Sequence, residues 1–124
     1  MVMLKNLPRC FMAYALLAAC MAVPLSGASA KTAQCRIESG GKVAFSGACQ
    51  FVPDSGGSFG LLNLDKQRPL YGSILSVSVF ITAPGEAEVR GLTRDGINSR
   101  WGEAKRSRQN PECWVGEDFA VCAR

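Results

Sequence analysis

The sequence predicts an all-β domain: a small antiparallel sheet, closed or nearly closed into a barrel or sandwich and stapled by disulfides. Three observations carry this. Beyond residue 30, apolar residues alternate with polar ones, the period-two pattern of half-buried strands, and do not recur at helical spacing. Glycine- and proline-rich turn signals divide seven or eight such runs. Cys35, Cys49, Cys113 and Cys122 flank two candidate hairpins.

The elements follow in order. Gln34 to Glu38 and Lys42 to Ser46 pair around Ser39-Gly40-Gly41, and Ala48 to Val52 continues the second strand after a bend at Gly47. Pro53-Asp54-Ser55-Gly56-Gly57 is a turn, Ser58 to Asn63 a strand, and Asp65 to Pro69 a polar loop. Ser73 to Thr82 is the strongest strand. Leu75, Val77, Val79 and Ile81 form its core face, and Ile74, Ser76, Ser78, Phe80 and Thr82 a mixed one. Pro84-Gly85 turns the chain into Glu86 to Leu92, with Ala87 and Val89 inward and Glu86, Glu88 and Arg90 outward. Arg94-Asp95-Gly96 turns it again. Ile97 to Ala104 is a strand interrupted at Gly102, Ser107 to Pro111 a polar loop, and Cys113 to Cys122 a hairpin turning at Gly116 to Asp118. Lys66 to Tyr71 and Glu103 to Gln109 each have room for one helical turn, but neither encodes a capped amphipathic helix.

Residues 1–30 have the anatomy of a secretory signal peptide. Lys5 and Arg9 make a basic start, Phe11 to Leu25 is uncharged, and Ala28-Ser29-Ala30 is a small-x-small cleavage pattern. The apolar run is too short to span a membrane, and Pro24 and Gly27 break its helix just ahead of the cut. Cleavage after Ala30 leaves residues 31–124 as a single β domain, periplasmic or secreted. The alternative is a lipobox, Leu17-Ala18-Ala19-Cys20, giving an outer-membrane lipoprotein anchored through Cys20. Against it, Met21 to Leu25 stay apolar where a lipoprotein continues into a polar tether.

The four cysteines that remain are an even number in an oxidising compartment, which implies two disulfides. Local pairing, Cys35 with Cys49 and Cys113 with Cys122, is the simplest arrangement. A cross-link such as Cys35 to Cys122 would close a longer loop and restrict the unfolded chain more. There is no histidine and no Cys-x-x-Cys, so no metal or other cofactor is expected.

The same inventory excludes Ser-His-Asp and Cys-His catalysis, and there is no phosphate-binding glycine loop. A carboxylate pair drawn from Glu86, Glu88, Glu103, Glu117 and Asp118 could still serve glycoside hydrolysis. Alternation makes the first two a solvated strand face, and position makes the last two turn residues. The expectation is therefore a protein without catalytic residues.

The chain carries a net charge of +4; without Lys5 and Arg9 this falls to +2. The excess is local. Arg90, Arg94, Arg100, Lys105, Arg106 and Arg108 stand against Asp95 and Glu103. Both tryptophans lie in or beside this stretch, so Arg100, Trp101, Lys105, Arg106 and Trp114 form the candidate binding residues. Trp114, next to Cys113, reads as a ring buried against a disulfide. Trp101 is open to either role. An exported protein with this surface suits an acidic glycan or protein of the cell envelope, and not nucleic acid.

An N-terminal cysteine hairpin and a closing Cys-Trp…Cys hairpin in a small exported chain resemble small envelope proteins of Gram-negative bacteria whose function is uncharacterised. In size and disulfide economy the chain is also similar to the periplasmic and lipid-anchored inhibitors of C-type lysozyme. That family's Ser-Gly-x-x-Tyr motif is missing: Ser46-Gly47 and Ser55-Gly56 are not followed by tyrosine at the required place, and Tyr71 stands alone before Gly72. The resemblance implies an inhibitor that uses a loop, Pro53 to Ser58 or Gln67 to Gly72, against a cell-wall hydrolase. It assigns no residue a role.

Overall fold

The computed structural model describes residues 29–124; most of the leader, with Cys10 and Cys20, lies outside the described residues. Eight strands follow one another: β1 (Lys31–Ser39), β2 (Lys42–Pro53), β3 (Phe59–Leu62), β4 (Ile74–Ala83), β5 (Glu86–Thr93), β6 (Asn98–Arg106), β7 (Cys113–Val115) and β8 (Phe119–Ala123). Each pairs antiparallel with the next, and β8 pairs with β1 to close a barrel. Every strand has a ladder partner on both sides, which decides for a barrel over a sandwich, although β6 meets β7 at only two positions. Past the end of the β1–β8 ladder, Gln34 and Arg124 exchange two backbone hydrogen bonds of 2.8 and 3.0 Å.

Alternation decides what fills the interior. Ala33, Cys35 and Ile37 of β1, Cys49 of β2, and Phe59 and Leu61 of β3 are buried. So are Val77 and Val79 of β4, Ala87 and Val89 of β5, and Ala104, Trp114, Phe119 and Val121 beyond them. No polar or charged residue is buried among the described residues. An eight-stranded barrel is just narrow enough to be filled by its own side chains.

The Cys35–Cys49 disulfide is part of this filling. Ala33 lies opposite Cys49 and Cys35 opposite Gly47, so the two cysteines are inward-facing diagonal neighbours, with Cα atoms 5.9 Å apart. Cys113 and Cys122 are direct partners across β7 and β8, with Cα atoms 4.0 Å apart. Their neighbours Trp114 and Val121 point inward, so this bridge lies on the outer wall.

Some local expectations are corrected. The room for helical turns at Lys66 to Tyr71 and Glu103 to Gln109 is not used: the first is a loop, and Glu103 to Arg106 is the end of β6. The described residues hold instead one 3-10 turn, Ser55–Gly57, capped by the Asp54 side chain on the Ser55 amide. As expected, the second strand continues past Gly47: β2 runs through it at φ 155°. Leu75 leaves the core face. The β4–β5 register shifts between Ile74 and Ser76, so Leu75 has no partner, while Ile74 packs on the core. One extra residue inverts a period-two pattern.

The two ends of the barrel differ. The connections after β1, β3, β5 and β7 share one end. There the long segment between β3 and β4 buries Leu70, and Tyr71 stacks on Phe45 at 6.5 Å. Asn63 Nδ2 donates to the Pro69 carbonyl and braces that segment. The other end holds the connections after β2, β4 and β6, together with Lys31 and Arg124. Among the described residues, no helix is long and apolar enough to cross a membrane.

Candidate functional site

The five sequence-predicted site residues fall in three places. Arg100 and Lys105 sit on the outer wall, where Arg90 is the register partner of Arg100 and Glu86 that of Lys105. Glu88 takes the Arg100 Nε at 2.6 Å and an Arg90 amino group at 3.2 Å. Trp101 is the extra residue of a bulge, since Arg100 pairs with Arg90 and Gly102 with Val89. The bulge turns its indole inward at the closed end, over Gly91 and edge-on to Phe119 at 5.7 Å. Arg106 and Trp114 are register partners at the open end. Trp114 is buried, but on the opposite face from the disulfide beside it in sequence.

The open end is a concave mouth. A cavity of about 430 Å³ is lined by Phe51, Phe59, Ile81, Arg106, Glu112 and Trp114, with Gly56, Gly57 and Gly85 on its rim. Phe51 and Phe59 stack at 4.8 Å. Two of the three connections here are short: Pro84-Gly85 is a two-residue turn, and the Asp54 amide donates to the Ser58 carbonyl to close the β2–β3 connection; the third, Ser107 to Glu112, is longer. Phe51 is half-buried at this end, while Phe59 and Trp114 are buried although they line the cavity.

Two cations stand on those rings. The Arg106 guanidinium lies 5.5 Å from the Trp114 ring centroid, and the Lys31 ammonium 5.5 Å from that of Phe51. Arg106 is fixed twice: its amide donates to the Gly85 carbonyl at 3.0 Å, and Nε to the Pro111 carbonyl at 2.7 Å. That arrangement spends one of five guanidinium donors and leaves both amino groups of the fork free for an incoming oxygen. Neither cation has a carboxylate partner among the described residues. A cation held on an aromatic face keeps its charge, whereas one paired to a carboxylate is neutralised.

Sequence reasoning missed Lys31, Phe51, Phe59 and Ile81. Lys31 shares the inward register of Ala33 and Cys35 and lies opposite Phe51. Only closure of the barrel brings that pair to the same rim as Arg106. The signal available in sequence was the aromatic at the far end of a hairpin whose other arm starts with lysine.

Four of the five candidate carboxylates also meet. Glu86, Glu88, Glu103 and Glu117 line an outer-wall groove of about 470 Å³ with Arg100 and Lys105. Glu88 and Glu103 are direct partners across β5 and β6. Glycoside hydrolysis needs one carboxyl sheltered by an apolar pocket to act as acid. Here Glu88 is committed to two arginines, and Glu103 is exposed on the open wall. No group of three or more metal-ligating side chains forms among the described residues.

In comparisons with known proteins, no family model, no curated sequence and no solved structure matches this chain.

Proposed function

We propose that the protein is a non-enzymatic, exported binding module of the cell envelope that takes an anionic group of an acidic glycan at the open mouth of its barrel. The observation behind this reading is a pair of cations held on rings that line one cavity: Arg106, itself in the lining, on Trp114, and Lys31, at the same end of the barrel, on Phe51. The aromatic floor suits the apolar face of a sugar ring, and the free amino groups of Arg106 suit a carboxylate, sulfate or phosphate substituent. Arg100 and Lys105, on the outer wall, make no contact with the anion in this reading.

The test is titration of the purified exported protein with lipopolysaccharide and with acidic and neutral glycans. Acidic glycans bind and neutral ones do not. Arg106→Ala lowers affinity about tenfold or more, because a charge-assisted hydrogen bond contributes ~1.5–3 kcal/mol. Unchanged affinity in Arg106→Ala, with the fold intact by circular dichroism, overturns the assignment. Capture by acidic protein in place of glycan redirects the reading to a protein partner.

One observation favours a second reading, inhibition of a cell-wall hydrolase. The Pro53 to Ser58 connection is rigid, closed by backbone bonds from Asp54 to Ser58 and from Ser58 to Ser55, and it borders the same mouth through Gly56 and Gly57. A pre-organised loop is what an inhibitor inserts into an active site. A panel of peptidoglycan hydrolases assayed with excess protein separates the two readings, since a pure glycan binder leaves turnover unchanged.

A further inference from the structure

We infer that removal of the leader completes the mouth: cleavage between Ala30 and Lys31 adds an α-ammonium to the rim that holds the anionic group. This rests on the reading of the mouth as an anion site and on the cut marked by Ala28-Ser29-Ala30.

The ladder itself starts at the residue that the cut exposes. β1 begins at Lys31, which faces Phe51 across β1 and β2. Its side chain already carries an ammonium over the Phe51 ring, and that ring lines the cavity. The backbone nitrogen of Lys31 is one bond, about 1.46 Å, from the Cα on which that side chain is mounted. Before cleavage this nitrogen is a neutral amide. Hydrolysis consumes one water, whose oxygen joins the Ala30 carbonyl carbon as the carbonyl C–N bond breaks. Both water hydrogens end on the Lys31 nitrogen, leaving a carboxylate on the leader and an ammonium on the domain. The rim then carries three cationic groups, two on Lys31 and one on Arg106.

A pH signature follows. The charged side chains around the mouth are Lys31 on β1, Asp54 after β2, Arg106 on β6 and Glu112 before β7, with Arg124 at the closing seam. An α-amino group ordinarily titrates near 7.7–8.0, between the ranges of carboxylates and of lysine or arginine, and the chain has no histidine to share that window. Affinity for an anion therefore falls as pH rises from about 7 to 9, where the α-ammonium loses its proton.

The experiment uses a sulfated heparin tetrasaccharide as the probe and three forms of the protein, each with its N-terminus read by intact mass. These are the processed chain, the same chain selectively acetylated on its α-amine, and Arg106→Ala. Acetylation lowers affinity about twofold to fivefold at neutral pH, the range of a solvent-exposed charge pair, and abolishes the decline between pH 7 and 9. Equal affinity and equal pH profiles for free and acetylated chains overturn the inference; if Arg106→Ala still loses binding, the anion site stands. If neither change matters, or the processed chain does not bind the probe, both readings fall. A native N-terminus anywhere other than Lys31 overturns this inference alone.

Discussion

Gly91→Ala should destabilise the barrel by driving Trp101 off β5, and the size of the effect can be worked from contacts. A methyl group at Gly91 would meet Trp101 Cζ2 and Nε1 at 2.8 Å and Cε2 at 2.9 Å. Carbon contacts are optimal near 3.5–4.0 Å, so the indole must withdraw by more than half an ångström. It has little freedom to do so, being packed on the core and edge-on to Phe119. Overpacking of this kind costs ~1–3 kcal/mol, of which the stiffer unfolded alanine chain offsets about 0.4–1 kcal/mol. From the middle of both ranges the net is about 1.3 kcal/mol, or a fall in Tm of roughly 5–10 °C for a domain of this size. Thermal and urea unfolding of wild type, Gly91→Ala, Trp101→Leu and the double variant measures it. The smaller leucine makes room, so the double variant loses less stability than the two single losses together. Anion binding at the mouth is unchanged in Gly91→Ala, because Trp101 lies at the closed end. A Tm for Gly91→Ala within a degree of wild type, or additivity within about 0.5 kcal/mol, would refute the claim that Gly91 exists to seat Trp101.

The disulfides differ in access. Mild reduction followed by alkylation should label Cys113 and Cys122 first, since Cys35 and Cys49 are buried inside the barrel. Replacing Cys113 and Cys122 with serine costs about 2.7 kcal/mol by loop entropy, read as a lower urea midpoint with a steeper slope, because the uncrosslinked unfolded chain exposes more surface. Tyr71 should ionise late, because burial pushes its hydroxyl up from the ordinary value of 10.0. It shares the chain with one other tyrosine, Tyr14 in the leader, so near-ultraviolet absorbance of the processed protein follows it alone. The sign is fixed by linkage: the stability it contributes is complete below the unfolded value and is lost as pH rises through the higher folded one. Tyr71→Phe removes that component, and an alkaline stability profile unaltered by the substitution would count against burial as the cause.

The fold was legible because nearly every strand carries its own period-two pattern and its own turn signal. Val77 and Val79, or Ala87 and Val89, announce their faces locally, and both disulfides join ends of a hairpin visible in sequence. The bulges were not legible. A one-residue shift in pairing is decided by the partner strand, so the ejection of Leu75 and the inward turn of Trp101 depend on Thr93 to Leu92 and Arg90 to Val89 across the ladder. The site was half legible for the same reason. Arg106 and Trp114 are close in sequence and meet, whereas Arg100 and Lys105, one residue from inward positions, alternate to the wall. Lys31 lies far from Arg106 in sequence and comes to the same end of the barrel only because β8 returns to β1.

The contrast between the wall and the mouth explains why the basic residues of one segment differ in what they can bind. On the wall, Glu88 takes up Arg90 and Arg100, so the local field there is largely cancelled. At the mouth, rings replace the carboxylate as the seat of the cation. A cation on an aromatic face is stabilised by ~0.5–2 kcal/mol without any opposing charge, so the positive potential survives. The architecture differs between the ends: Leu70 and Tyr71 close the other, while here the half-buried Phe51 and the buried Phe59 and Trp114 line a cavity. Glycines on the rim matter for the same reason, since a side chain at Gly57 would point its Cβ toward Ile81 at 3.6 Å and narrow the cavity. An anion approaching the barrel therefore meets, at the open end, two cations without a carboxylate ion pair among the described residues, backed by apolar surface and with Glu112 in the same lining, and ion-paired charge in water along the Glu88 wall.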